Sequence, residues 1–384
     1  MAERYTAIVA GLGAMGSAAT YHLARRGGRV LGLEQFWAGH DRGSSHGKSR
    51  VIRQAYFEGT AYVPLVLRAY ELWRALVTET GRRLLTITGG LMLGNPSSQC
   101  VEGAARSAVA FGLEHEVLTT GELRRRFPQF AVEGDCQALY EKQAGVLNPE
   151  ACVLAHQAAA ARQGAELRFN ERILNIEKSR SDGLLSVTTS AGTYSAERLV
   201  MTCGAWTGKL EFGMSLPLAP ERRIMHWFAP RSPIQEFAPP HFPIWIWEHE
   251  DGTEAYGFPA LDGPLGGVKF AFHNRQAAAC DPDTLDRSIT PEEIQAATAH
   301  LEKHLPGLAG RHLNSVACMY TLTRDHHFAI GLHPEDERIA LGAGFSGHGF
   351  KFASAVGEVL AELAVKGHTG WDISAFRPDR WGKS

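Results

Sequence analysis

The stretch Tyr5–Glu34, YTAIVAGLGAMGSAATYHLARRGGRVLGLE, constrains the fold more than any other part of the chain. Ala7–Ala10 is a short apolar run that predicts a buried strand. Gly11, Gly13 and Gly16 follow in the G-x-G-x-x-G order, and small and apolar residues recur at helical spacing from Met15 to Arg26. Gly27-Gly28 closes that helix, and Arg29–Leu33 predicts a second strand ending in Glu34. A βαβ unit of this kind grips a dinucleotide. Gly11 permits the tight turn, Gly13 lets the backbone approach a pyrophosphate, and Gly16 allows close helix–strand packing. Ala14 and Met15 open the helix, whose free N–H groups and positive dipole end favour phosphate. Glu34, about 20 residues beyond the glycines, stands where a carboxylate accepts ribose hydroxyls. The glycines alone are a weak signal. With a strand before, a helix after and an acid at the end of the next strand, they indicate an adenine dinucleotide, without separating NAD from FAD.

At 384 residues the chain exceeds what one hydrophobic core ordinarily organises, so two joined domains are expected. Apolar residues at 44% and charged residues at 21% fit a globular protein, and a formal charge of −2 gives no reason to expect nucleic acid or an anionic membrane as partner. No run of about 18 apolar residues offers a membrane span. The first strand starts too early to leave room for a signal peptide, so a cytoplasmic location is expected. The six cysteines are scattered without C-x-x-C, and the 17 histidines form no H-E-x-x-H, so neither a disulfide framework nor a metal site is expected.

The loop Gly39–Arg50 is rich in His, Arg and Lys. Following the second strand of a nucleotide-binding unit, it falls at the carboxyl ends of the strands and so beside the ligand. Helices are predicted over Tyr62–Glu79, within Ser107–Arg126, over Glu150–Gly164 and over Ser288–Leu305, with a turn at 145–149. Strands are predicted over Leu84–Leu93, Ala165–Ile176, a hairpin Leu184–Tyr194, Arg198–Thr202, Asn314–Thr323 and Ile339–Ala343. Leu216–Phe272, which contains Trp227, Trp245 and Trp247, reads as an antiparallel sheet. The last unit repeats the opening one, with a glycine turn Gly344–Gly349 and a helix Lys351–Val365. The expected fold is mixed α/β. A Rossmann-type domain built from 1–85, 145–215 and 318–384 interleaves with an antiparallel-sheet substrate domain from 86–144 and 216–317.

Longer motifs are more specific. His46–Arg53 (HGKSRVIR), Ala55-Tyr56, Glu58-Gly59, Tyr62–Leu65, Tyr256–Pro259, Ala317–Thr321 (ACMYT) and Ala343–Phe352 (AGFSGHGFKF) run in register over nearly the whole chain. They resemble the monomeric sarcosine oxidase family, FAD-dependent oxidases of secondary amines that include N-methyltryptophan oxidases. The resemblance implies FAD rather than NAD, and a thioether from Cys318 to the 8α position of the flavin, for which the thiolate is the nucleophile. It implies a substrate carboxylate held by Arg53 and Lys351, a planar fork and a point charge, with Gly347 and Tyr256 beside the substrate. Lys269 would assist reaction of the reduced cofactor with O2 by stabilising superoxide charge. His46, Arg50, Tyr256 and His273 match further active-site positions. Cofactor contacts are implied at Ser44, His46, Ser49, Arg50, Ile173, Gly204, Trp206, Met319, Gly344, Phe345, Gly347, His348, Gly349 and Lys351. The implied reaction turns a carboxylate-bearing secondary amine into an imine, which water hydrolyses, while O2 becomes hydrogen peroxide. The implied assembly is a monomer.

Departures from the family bear on the substrate. Lys48-Ser49 stands where an acidic residue and Thr are usual, Gln54 replaces a His, and Ile244–Glu248 carries two tryptophans. An indole in the pocket would point away from plain sarcosine, whereas indoles in the core would say nothing of it. Two alternatives remain open on the residues: a flavin dehydrogenase with another electron acceptor, and a flavin-binding sensor without turnover. Arg53, Lys269 and Lys351 together speak against the sensor.

Overall fold

The computed structural model describes residues 3–178, 183–263 and 265–382. The opening unit forms as its pattern dictates. Strand Glu3–Ala10, helix Ala14–Ala24 and strand Val30–Leu33 follow one another, and Gly27 and Gly28 take φ of 85° and 93° at the helix end. Glu3–Ala10 lies between Val30–Leu33 and Thr193–Met201, parallel to both. Glu166–Arg168 and Asp336–Ala343 extend the parallel core at its two sides. Antiparallel hairpins flank this core, from Ile173–Lys178 with Leu185–Thr189 and from Ala329–His333 with Asp336–Ala343. Helices Ala14–Ala24, Val63–Thr80, Pro149–Arg162 and Ala353–Lys366 cover one face in a single apolar core. The strands are therefore buried and read as continuous apolar runs.

A second, nine-stranded sheet is antiparallel apart from the parallel pairing of Ile244–Glu248 with Gly90–Gly94. Ala219–Ala229 is its spine, pairing with Val268–Phe272 on one side and Arg311–Leu322 on the other. Helix Pro291–His304, opened by a Thr290/Glu293 capping box, closes the face that carries Trp245, Trp247 and Phe270. Among the described residues, no helix is long and apolar enough to cross a membrane.

Several local expectations are corrected. The turn expected at 145–149 contains a strand, Gly145–Leu147, which pairs with both Arg50–Ile52 and Leu85–Ile87 in a small third sheet. A Cβ at Gly145 would lie 2.2 Å from the Thr86 carbonyl oxygen, so this glycine serves strand approach rather than a turn. The run Leu84–Leu93 splits at Gly89 (φ 72°) between that sheet and the large one. Ser107–Arg126 is two short helices, Ala104–Ala110 and Thr120–Arg126, around strand Glu116–Leu118. Ala165–Ile176 breaks at Asn170, whose φ of 57° ends one strand before the next begins. Lys351 sits in a 3-10 turn, Phe350–Phe352, ahead of the α-helix. Strand Ala329–His333 was not expected. The expected divisions at 85/86 and 317/318 fall inside strands Leu85–Ile87 and Arg311–Leu322.

The first and last long helices meet at a small-residue contact. A Cβ on Gly357 would lie 2.5 Å from Ala18 Cβ and 2.6 Å from the Ala18 carbonyl carbon. Gly357→Ala must therefore push two backbones apart, and a stability loss of about 1–3 kcal/mol is expected. The denaturant midpoint measures it, and an unchanged midpoint would show that the helices separate without cost.

Candidate active site

A large cavity lies along the carboxyl ends of the parallel strands. Its wall takes Gly11, Gly13, Ala14 and Met15 from the first turn, Glu34 from the second strand, and Ser44 and Arg50 from the loop. Ile173, Gly204, Trp206, Met319, Gly344, Phe345, Gly347 and Gly349 complete the expected contribution. Glu34 is pinned, its two carboxylate oxygens accepting from Leu12 N at 2.9 Å and Phe36 N at 3.1 Å. Gly16 lies behind the wall: a Cβ there would be 1.7 Å from the Gly11 carbonyl oxygen, so its part is helix–strand packing.

Sequence reasoning missed further wall residues. Ser45 Oγ accepts from Ala14 N at 3.2 Å, at the helix N-terminus where phosphate is favoured. Thr202 Oγ1 donates to the Ala10 and Gly11 carbonyls at 2.9 and 3.0 Å and locks the turn. Neither belongs to a motif; only folding brings them to the glycines.

Behind one end of the cavity the loop Ser44–Arg50 meets the large sheet. Cys318 is 2% exposed on Arg311–Leu322, with Arg50 Nη2 at 3.7 Å from its sulfur. Burial alone pushes the Cys318 thiol up, but the neighbouring His46 and Arg50 outweigh it and bring it down to about 6. His46 is itself buried, and its Nε2 has no hydrogen-bond partner. Lys269, 3% exposed, donates from Nζ to the Gly47 carbonyl at 2.8 Å and the Ser49 carbonyl at 3.0 Å. Burial and the Arg50 charge hold this ammonium well below the ordinary lysine range.

A second cationic cluster lies around Tyr56. Arg53 is 1% exposed; it donates to the Ala55 carbonyl at 2.8 Å, pairs with Glu58, and keeps Nε without a partner. Lys351 Nζ donates to the His348 carbonyl at 2.8 Å and lies 3.4 Å from Tyr56 Oη. Burial and Arg53 bring Lys351 down to about 7. Burial would raise Glu58, but Arg53, His348 and Lys351 hold it at about 2. The His348 imidazole is used on both sides, Nδ1 at 2.6 Å from Tyr56 Oη and Nε2 at 3.0 Å from the His326 carbonyl, so it braces this cluster rather than lining the cavity.

Between the clusters, the Tyr256 and Tyr320 hydroxyls are 3.3 Å apart, and the His273 ring lies 5.3 Å from that of Tyr320. Burial keeps His273 neutral, at about 4. Arg223 also packs 5.0 Å from the Tyr320 ring, with Nε and Nη1 unpartnered, and no sequence motif marks it. Trp245 and Trp247 are turned away, packed with Phe130 and Phe270 in the core under helix Pro291–His304. Their number therefore says nothing about substrate size. Trp206 lines the cavity, and the Trp227 ring lies 5.4 Å from Lys269 Nζ.

Residues 6–363 match the family described as FAD dependent oxidoreductase. The chain belongs to this family. It is 48% identical over 381 residues to a monomeric sarcosine oxidase of Streptomyces avermitilis, covering 99% of this chain and 98% of that one. It is 36% identical over 372 residues to an N-methyl-L-tryptophan oxidase of Yersinia pestis, covering 97% of this chain and 98% of the relative. Among solved structures, NikD, an amino acid oxidase of nikkomycin biosynthesis, superposes with a TM-score of 0.84 at 26% identity, covering 98% of each chain. The cavity suits the family cofactor. A glycine turn and helix N-terminus stand at one part of the wall with a pinned carboxylate beside them, and the unpartnered His46 Nε2 and a low-pKa thiol stand behind another.

The Glu58–Arg53 pair makes the fold sensitive to acid through the Glu58 carboxyl. Its folded pKa lies near 2 against an ordinary 4.5, so its stabilisation is fully present above 4.5 and is lost as pH falls from 4.5 towards 2. The loss is about 3 kcal/mol. Denaturant midpoints across that range should fall more steeply for the native chain than for Glu58→Gln; parallel acid profiles would contradict the pairing.

Proposed function

We propose that the protein oxidises a secondary amino acid, sarcosine or a larger N-alkyl amino acid, to the imine with O2 as oxidant. Water then hydrolyses the imine, giving formaldehyde and the primary amino acid from an N-methyl substrate, and O2 leaves as hydrogen peroxide. What carries this reading is the charge deficit around Tyr56. Two buried cations, Arg53 and Lys351, share one carboxylate, Glu58, and Arg53 Nε has no partner. A substrate carboxylate supplies the missing negative charge and a fork acceptor. Both the sarcosine oxidase and the N-methyltryptophan oxidase relatives are named for N-methyl amino acids.

When bound, FAD supplies the two-electron acceptor that takes the hydride from the substrate carbon and passes the electrons to O2. The chain does the rest. Arg53 and Lys351 fix the carboxylate end, and Tyr256, Tyr320 and neutral His273 bound the amine end. An unprotonated amine is needed for hydride loss, and a site crowded with cations disfavours the ammonium form. Lys269, fixed by two carbonyls, presents positive charge where superoxide develops. Cys318 would hold the cofactor through a thioether, its thiolate favoured by His46 and Arg50; the thiol proton and one methyl hydrogen would be lost, and the two electrons would pass through the flavin to O2. The name of the monomeric relative supports a single-chain enzyme.

Anaerobic addition of sarcosine or N-methyltryptophan should bleach the flavin absorbance, and air should then yield peroxide; no bleaching by any secondary amino acid would refute the reading. Arg53→Met and Lys351→Met should each raise KM about 10–100-fold. After acid precipitation the native protein should keep its flavin and Cys318→Ala should release it. Lys269→Met should leave anaerobic reduction intact and slow reoxidation by O2 at least about 100-fold; equal reoxidation rates would remove Lys269 from that step.

A further inference from the structure

On the face of the large sheet turned away from the cavity, three imidazoles converge. His300 and His304 stand one turn apart on helix Pro291–His304, and His249 caps strand Ile244–Glu248 in the turn that follows it. One ring nitrogen from each of the three lies within 4.8 Å of the other two. The ring centroids are 4.2 Å apart for His249 and His304, 4.6 Å for His300 and His304, and 4.8 Å for His249 and His300. No other group of three His, Cys, Asp or Glu side chains among the described residues has such convergence.

The cluster is held in place and incompletely satisfied. Trp247 stacks on His249 at 4.6 Å, and Phe270 stacks on His300 at 5.3 Å with Phe272 against its edge at 5.0 Å. The His249 turn is closed by backbone hydrogen bonds, His249 N to the Thr253 carbonyl at 2.8 Å and Gly252 N to the His249 carbonyl at 2.9 Å. Yet Nε2 of His249 and Nε2 of His300, a residue only 9% exposed, have no hydrogen-bond partner. A buried polar nitrogen without a partner is costly, and aromatic packing alone does not repair it. Apolar side chains would fill the same space at no such cost.

We propose that His249, His300 and His304 form a divalent metal site, with Zn2+ the ion that suits it. Three imidazole donors select borderline ions over Mg2+ or Ca2+. At a Zn–N distance of about 2.0–2.1 Å, tetrahedral ligands stand about 3.4 Å apart. Metal binding would draw the three nitrogens in to that spacing, with water in the fourth position. The ion ties helix Pro291–His304 to the turn after Ile244–Glu248. Strand Val268–Phe272 separates it from the active site, with Phe270 towards the histidines and Lys269 towards the Ser44–Arg50 loop. The role is structural, so catalysis does not depend on it.

The test uses untagged flavin-loaded protein, stripped with EDTA and titrated with Zn2+ by calorimetry, and with Co2+ by visible absorption. One equivalent of Zn2+ per chain, a Co2+ spectrum of nitrogen ligation and a metal-dependent rise in melting temperature are expected. His249→Asn and His304→Asn should each weaken binding more than about 100-fold and abolish the melting shift. Their flavin absorbance and turnover should stay native, which marks them as folded. Absence of saturable binding at one equivalent in the native protein would overturn the proposal. So would binding equally tight in both variants, which would put the ion elsewhere.

Discussion

The structure depends on one buried ammonium. Lys269 projects from the large sheet and donates to two carbonyls of the loop that leaves the nucleotide-binding unit, those of Gly47 and Ser49. Glu150, at the start of the helix Pro149–Arg162, holds the same loop from the other side, accepting from Gly47 N at 2.6 Å. Clamped between them, the loop sets the position of Arg50, and Arg50 with His46 sets the charge on Cys318. A side chain that looks like a surface lysine in sequence is thus what joins the two sheets at the place where chemistry is proposed.

Charge balance explains much else. Burying Arg53, Lys269 and Lys351 beside the half-buried Arg50 is expensive unless each is paired or holds its proton less tightly. The chain uses both remedies. Arg53 takes Glu58, while Lys269 and Lys351 shift down and lean on carbonyl oxygens. The residual positive charge is what an anionic substrate can neutralise, so the same strain that weakens the empty site favours the occupied one. Arg223, with two unpartnered nitrogens near Tyr320, adds to that field.

The legible parts of the sequence were local. The opening βαβ unit, the strand and helix of the last unit and the capped helix near 290 stand where periodicity and glycine chemistry predict them. Fifteen of the expected contacts line the cavity, while Gly16, His46, Ser49, Cys318, His348 and Lys351 are not part of its wall. The errors came where a short segment answers to a distant partner. Gly145–Leu147 reads as a turn because three residues show no period, and it is a strand only because Arg50–Ile52 and Leu85–Ile87 flank it. Within Ser107–Arg126 one helix and a basic turn are expected, and the three-residue strand Glu116–Leu118 is too short to show a period; it forms because Gln137–Glu141 pairs with it.

By itself the sequence determined that a dinucleotide is held, since strand, glycine turn, helix and terminal acid are consecutive and their geometry follows from backbone sterics and the helix dipole. It also marked the charged residues worth watching. Only the tertiary structure decided which of them share a space: Lys269 with Ser49 from 220 residues away, Cys318 with Arg50 across 268, and three histidines from a strand end and a helix. Sequence separation carries no record of side-chain direction on a twisted sheet, so Trp245 and Trp247 could be assigned to core only once their strand was seen to face helix Pro291–His304.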